Sequence, residues 1–163
     1  MRRVFADDFT IAEYEAHLAR LLGFFEPMER SILRVVPGRL IPPGFGRAGD
    51  LHDDLSAMGW TVARTASIER CGHVPEISPA GLRGYLYVAL GSMLGGQVIA
   101  RHLRQQLGPQ ISLTFYGGGD GENDPRWTTF LDDLERCGRT DLAVISTTAN
   151  ATMDAFAAWF EVD

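Results

Sequence analysis

From Gly84 to Ala100 the chain reads Gly-Tyr-Leu-Tyr-Val-Ala-Leu-Gly-Ser-Met-Leu-Gly-Gly-Gln-Val-Ile-Ala, a stretch without a single charged side chain. A helix that is apolar on most of its faces has to be buried, so this segment fixes the centre of the fold. Gly91, Gly95 and Gly96 interrupt it. Each costs a helix about 1 kcal/mol relative to alanine, roughly 3 kcal/mol together against a folding margin on the order of 5–15 kcal/mol. Gly91 and Gly95 are four apart and share a face, which strips one side of the helix to bare backbone. Either a neighbouring helix crosses closely there, or a flat, bulky ligand lies against the backbone. The two predict different surroundings for Gly91 and Gly95.

The same stretch has the G-x-x-x-G spacing used for helix packing in lipid. It is at the short limit of roughly 17–25 residues for a membrane span, contains Ser92 and Gln97, and has no second candidate segment, so a buried helix in a soluble protein is expected, with no membrane partner. A length of 163 residues suits a single domain over 1–163. The net charge of −6 and the lack of a basic cluster argue against nucleic acid. All fifteen basic residues are arginine, so an anionic ligand would be held by guanidinium groups or helix N-termini. Cys71 and Cys137 have neither C-x-x-C spacing nor a metal-type cluster and read as free thiols in a reducing cytoplasm. The N-terminus reaches Asp7 and Asp8 before any apolar run, so no signal peptide is expected.

Helical periods dominate. Thr10 and Glu13 have the form of a capping box, and Ile11, Tyr14, Leu18, Leu21, Leu22, Phe25, Met28 and Ile32 predict one long amphipathic helix, bent near Pro27 and ending at Pro37-Gly38. A loop from Pro37 to Gly49 precedes a shorter helix, about Asp50 to Met58, closed by Gly59. Trp60 to Pro75 reads as irregular. Ser78-Pro79 predicts the start of the glycine-bearing helix, which runs to Leu107 and stops at Gly108-Pro109. Residues 110–123 read as an exposed connection. Asp124-Pro125 opens a helix carrying Trp127, Phe130, Leu131 and Leu134, and a last helix from about Asp141 carries Leu142, Ile145, Ala149, Met153, Phe156, Trp159 and Phe160. With no strand pair in the pattern, the predicted fold class is all-α, an irregular helical bundle around one core.

Conventional side-chain catalysis is not visible. His17, His52, His73 and His102 are far apart and none pairs at i, i+4, so no metal site is expected. His17, between Glu13 and Arg20, reads as a solvated histidine at a helix edge. His102, near a helix C-terminus, suits the negative end of the dipole. The acids at 120, 122 and 124 resemble a calcium loop but lack the downstream glutamate, and the glycines around them do not form a phosphate loop.

The blocks Tyr85 to Leu90, Gly91-Ser-Met-Leu-Gly-Gly-Gln97 and Val98 to Leu103 resemble the distal helix of haem oxygenases, closest to the bacterial branch associated with bacteriophytochromes. The likeness extends in order to Phe9 to Tyr14 with Leu22 to Glu29, and to Phe115 to Asp120 with Pro125 to Trp127 and Phe130-Leu131, nearly the whole chain. The resemblance implies an all-α fold that sandwiches haem between a proximal helix and a kinked, glycine-rich distal helix. The implied reaction is cleavage of haem, both cofactor and substrate, to biliverdin, CO and iron, using O2 and an external electron donor. By motif position, Gly91, Ser92 and Gly95 would be the catalytic positions over the haem. Gly91 and Gly95 would face it, Gly96 would complete a flexible turn, and Ser92 would stand where some relatives carry an acidic residue that organises distal water. Phe25 stands where relatives often have a tyrosine. A glycine face admits a flat macrocycle where a Cβ would collide.

In this family the proximal histidine precedes the block matched by Phe9 to Glu29, and the chain starts after that point. The expectation is therefore of a domain short at its N-terminus relative to the family. The alternative is a degenerate, non-catalytic member that acts as a ligand-binding or protein-interaction module. The uncovered surface would then favour a homodimer. Arg83, Arg101 and Arg126 are candidates for haem propionates by charge alone.

Overall fold

The computed structural model describes residues 2–117 and 124–161. Among them are eight α-helices and no strand, the all-α class that the periodicity predicts but three helices more than it separates: α1 (Ile11–Val35), α2 (Ala48–Ala57), α3 (Val62–Ala66), α4 (Leu82–Leu94), α5 (Gly96–Leu107), α6 (Thr114–Gly117), α7 (Pro125–Glu135) and α8 (Arg139–Glu161). One of the three, α6, with Phe115 and Tyr116 buried, falls within 110–123, the stretch read as an exposed connection. The acids at 120 and 122, with the rest of 118–123, lie outside the described residues.

α1 opens with the expected capping box: Glu13 N–H donates to Thr10 Oγ1 at 3.2 Å, and Thr10 N–H donates to Glu13 Oε2 at 2.8 Å. Its apolar stripe, from Tyr14 through Leu18, Leu22 and Met28 to Ile32, is the spine of the core, while Ile11 at the mouth stays exposed. Pro27 lies inside α1 and does not end it. Proline has no N–H to give the carbonyl four residues back, which is that of Gly23. Cys71 N–H fills the gap, donating to Gly23 O at 2.8 Å. Gly23 is bare because a Cβ there would stand 2.5 Å from Glu69 O and 2.8 Å from the Trp159 ring.

Trp60 to Pro75 is not wholly irregular: Thr61 accepts from Arg64 N–H and starts the short α3. One turn is too short for a hydrophobic period to reveal. The predicted helix at Pro79 starts later, at Leu82, because Ser78 Oγ accepts from Gly81 N–H and closes a separate turn. The single long helix to Leu107 is in fact two, α4 and α5, parted at Gly95. Consecutive glycines are the weakest point in the run, and the break falls on them. Gly59, at φ +86°, and Gly108, at φ +93°, close α2 and α5 as expected, in a backbone region that disfavours any other residue.

α8 lies across α4. A Cβ on Gly84 would come within 2.5 Å of Ile145 O and 2.7 Å of Thr148 Cβ, and one on Gly81 would meet Thr148 Oγ1 at 2.6 Å. The face that α8 buries is therefore Ile145 and Thr152 with the small residues between them. Leu142 and Met153, expected on that stripe, are 45% and 52% exposed. Phe156 packs edge-on to Phe24, and Trp159 Nε1 donates to Arg20 O at 2.8 Å, tying the end of α8 to α1.

Two buried carboxylates cap helices other than their own. Glu29 of α1 accepts from the backbone N–H groups of Arg47 at 2.5 Å and Ala48 at 3.1 Å, and from the Tyr85 hydroxyl at 3.2 Å, so it caps α2, which has no cap of its own. Burial pushes the Glu29 carboxyl pKa up, and these three donors oppose it. Asp54 of α2 accepts from Ser112 Oγ at 2.5 Å and from the N–H groups of Thr114 at 2.6 Å and Phe115 at 2.9 Å, which opens α6. Between them lies Arg47, 2% exposed, its guanidinium 4.3 Å from the centre of the Phe115 ring and donating to Phe115 O. The two carboxylates are tolerated because each is hydrogen-bonded, and Arg47 because Nη2 donates to Phe115 O and Nε, which makes no hydrogen bond among the described residues, stands 3.6 Å from Asp50 Oδ2.

Candidate functional site

The four glycines of the α4–α5 run have different surroundings. Gly84 and Gly96 are crossing points: Gly84 meets α8, and a Cβ on Gly96 would lie 2.5 Å from the Tyr116 carbonyl of α6. Gly91 and Gly95 are not. Among the described residues, a Cβ on Gly95 would meet nothing within 4 Å, and one on Gly91 only the Trp127 ring, at 3.9 Å. None of the four has a positive φ. Backbone conformation therefore does not demand glycine at 91 or 95, and no helix among the described residues crosses there.

Around the bare patch the helix shows an apolar stripe. Tyr87, Gly91, Gly95 and Val98 follow at steps of four, four and three, one face of a helix. Tyr87 is 50% and Val98 62% exposed. The Trp127 ring of α7 stands 6.1 Å from that of Tyr87 and beside Gly91, making one wall. Ser92 is exposed and its hydroxyl donates to Ala89 O at 2.7 Å, which leaves its lone pairs free to accept. The geometry suits a flat apolar body laid on backbone between an aromatic wall and an aliphatic edge.

Of the residues singled out from the sequence, Gly91, Ser92 and Gly95 share this open stretch. Gly96 is buried against α6, where it holds the start of α5 in place. The ring neighbours of Phe25 are Phe24, Phe115 and Phe156, none of them on α4 or α5. Arg83 forks onto Asp133, with Nε–Oδ2 2.6 Å and Nη2–Oδ1 3.2 Å; Arg126 pairs with Asp124 at 2.8 Å; Arg101 is exposed on α5. Sequence reasoning did not single out Tyr87 as part of the site, although its place four residues before Gly91 was the available signal.

His17 is not the solvated edge residue its neighbours in sequence suggest. Its Nε2 shares a 2.6 Å hydrogen bond with the Tyr116 hydroxyl, its ring lies parallel to that of Tyr116 at 6.2 Å, and Phe160 stands 5.9 Å away. Residues of α6 and α8, far away in sequence, close over it. Burial pushes its pKa down to about 4, and the imidazole is neutral near pH 7. Burial also raises the Tyr116 hydroxyl well above its usual range. The pair joins α1 to α6 directly behind the carbonyl that abuts Gly96.

His102 packs on Phe5, and its Nε2 is buried without a partner. No group of three or more histidine, cysteine, aspartate or glutamate side chains gathers for a metal among the described residues. Cys71 and Cys137 are free thiols, the first buried. No helix among the described residues is long and apolar enough to cross a membrane.

An all-α bundle whose central helix is broken at a glycine pair and carries a bare, open face defines the class of fold. Within that class, the family described as Heme oxygenase matches residues 1–162, and the chain belongs to it. No curated protein and no solved structure matches the chain.

Proposed function

We propose that this protein is a haem-degrading oxygenase of its family, and that haem lies on the face formed by Gly91 and Gly95. The observation that carries this reading is the contrast among the glycines: those at 84 and 96 are crowded by neighbouring helices, and those at 91 and 95 are crowded by none among the described residues. The bare backbone fits a flat macrocycle, with the Tyr87 and Trp127 rings at one edge and Val98 at the other. Haem bound there would supply the iron at which O2 is activated and the porphyrin that is cleaved to biliverdin, CO and iron, with electrons from an external donor. The chain's own contribution is steric and polar. Gly91 and Gly95 let the ligand approach the backbone, Gly96 fixes the break by its contact with α6, Phe25 acts from the aromatic core through its contact with Phe115 of α6, and Ser92 offers an acceptor for a water. A cytoplasmic enzyme that supplies biliverdin to a bacteriophytochrome system fits this reading.

One observation favours a second reading, a module that binds an apolar ligand without degrading it. Two of the four histidines are already engaged, His17 with the Tyr116 hydroxyl and His52 with Glu26 at 3.3 Å. A homodimer formed over the bare face would belong to this reading.

Titration of the purified protein with haem, followed by a reductant under O2, separates the two. A Soret shift followed by biliverdin absorbance is expected for the oxygenase; a Soret shift without biliverdin would select the binding module, and no Soret shift would reject haem altogether. Gly91→Leu combined with Gly95→Leu should weaken haem binding at least tenfold and leave the far-ultraviolet circular dichroism unchanged, because among the described residues a Cβ at 95 enters open space and one at 91 meets the Trp127 ring at an ordinary contact distance of 3.9 Å.

A further inference from the structure

On another side of α4 lies a cleft of about 610 Å³, walled by the loop that carries Phe45, by α4 and by α7. Its floor is apolar: Leu82, Leu86 and Leu90 descend one face of α4 a turn at a time, and Phe130 of α7 faces them. At about 100° per residue, these leucines sit roughly 100–180° around the helix from Gly91. The cleft is therefore separate from the glycine face, and its occupancy is independent of whether haem binds there.

The rim is charged. α7 places Arg126 and Asp133 along the cleft, Arg136 follows at its C-terminal cap, and α4 adds Arg83. Three guanidiniums stand there against the carboxylates of Asp133 and, behind Arg126, Asp124. Asp141 near Arg83 and Asp50 near Arg126 balance those two arginines, so the rim cation most open to a ligand is Arg136, exposed beside Asp133. The Arg83–Asp133 pair is 40% and 44% exposed, and so open an ion pair exchanges readily for a competing carboxylate. The planar fork of Arg83 suits such a group, and Arg136 stands one turn beyond Asp133.

We propose that this cleft binds an amphiphilic carboxylate, its apolar body on Leu82, Leu86, Leu90 and Phe130 and its head group on Arg83 and Arg136. The volume lies within the usual range for small-molecule sites, about 300–1,000 Å³. A short carboxylate lacks the body that the floor requires. An amphiphilic cation meets the guanidiniums.

Calorimetric titration of the full chain with decanoate, below its micelle concentration, tests the proposal. One saturable site is expected, with at least tenfold weaker binding of decyltrimethylammonium and none of acetate. Arg136→Glu, at an exposed position, and Arg83→Gln should each weaken decanoate at least tenfold, while Gly91→Leu should leave it within twofold. The proposal falls if decanoate does not saturate, if the cation binds as well, or if Arg136→Glu has no effect. It falls equally if Gly91→Leu abolishes binding, which would put the probe on the glycine face.

Discussion

At the scale of the residue, adjacent glycines have opposite reasons to exist. Gly95 has a φ of −83° and ψ of −12°, which any residue adopts, and open space where its Cβ would go. Gly95→Ala should raise stability by about 0.5–1 kcal/mol, the ordinary gain from removing a helical glycine, and weaken haem binding. Gly96→Ala drives a Cβ towards the Tyr116 carbonyl and should cost about 1–3 kcal/mol through overpacking. Urea unfolding of the two variants measures both signs; shifts in the same direction would refute the assignment. The sequence marked both positions as costly. It could not tell them apart, because the difference lies in α6, a four-residue helix with too little length to show a period.

At the scale of the element, the helices that their own sequence starts were legible and those started by others were not. Thr10 with Glu13, and Asp124 with Pro125, announce α1 and α7, and both caps form. α2 and α6 begin on carboxylates reaching across from α1 and α2, at separations no local pattern encodes. Asp54→Ala would leave the Thr114 and Phe115 amides and the Ser112 hydroxyl without their acceptor. It should cost about 2–4 kcal/mol, since buried donors left unpaired forfeit their full solvation. Asp54→Asn keeps an oxygen there and should lose less. Denaturant unfolding reads the difference, and a loss below about 1 kcal/mol for Asp54→Ala would show that α6 does not depend on this cap.

At the scale of the molecule, the all-α class followed from periodicity, and the open face of the central helix was recognisable from glycine spacing as one of two alternatives. The junction at His17 was not, because α1, α6 and α8 meet there only in three dimensions. Its depressed pKa links the whole fold to acid. Above pH 6.5 the imidazole is neutral in both the folded and unfolded chains and adds no pH dependence. Between 6.5 and about 4 only the unfolded chain takes the proton, so stability falls with pH; below about 4 both are protonated and the loss is complete. With allowance for partial exposure, the loss is on the order of 2–3 kcal/mol. His17→Gln, which can still bond Tyr116, should remove that slope in urea midpoints measured from pH 7.5 to 4, and equal slopes in the two proteins would exclude His17 as the source. The gap that Pro27 leaves in α1 also has a topological meaning. Because Cys71 returns to the carbonyl of Gly23, the chain between them departs from and comes back to one point in space. α2 and α3 thus lie on a closed excursion from α1, pinned to α6 through Asp54, and changes in the length of its loops can be absorbed without altering the path by which α4 enters the core.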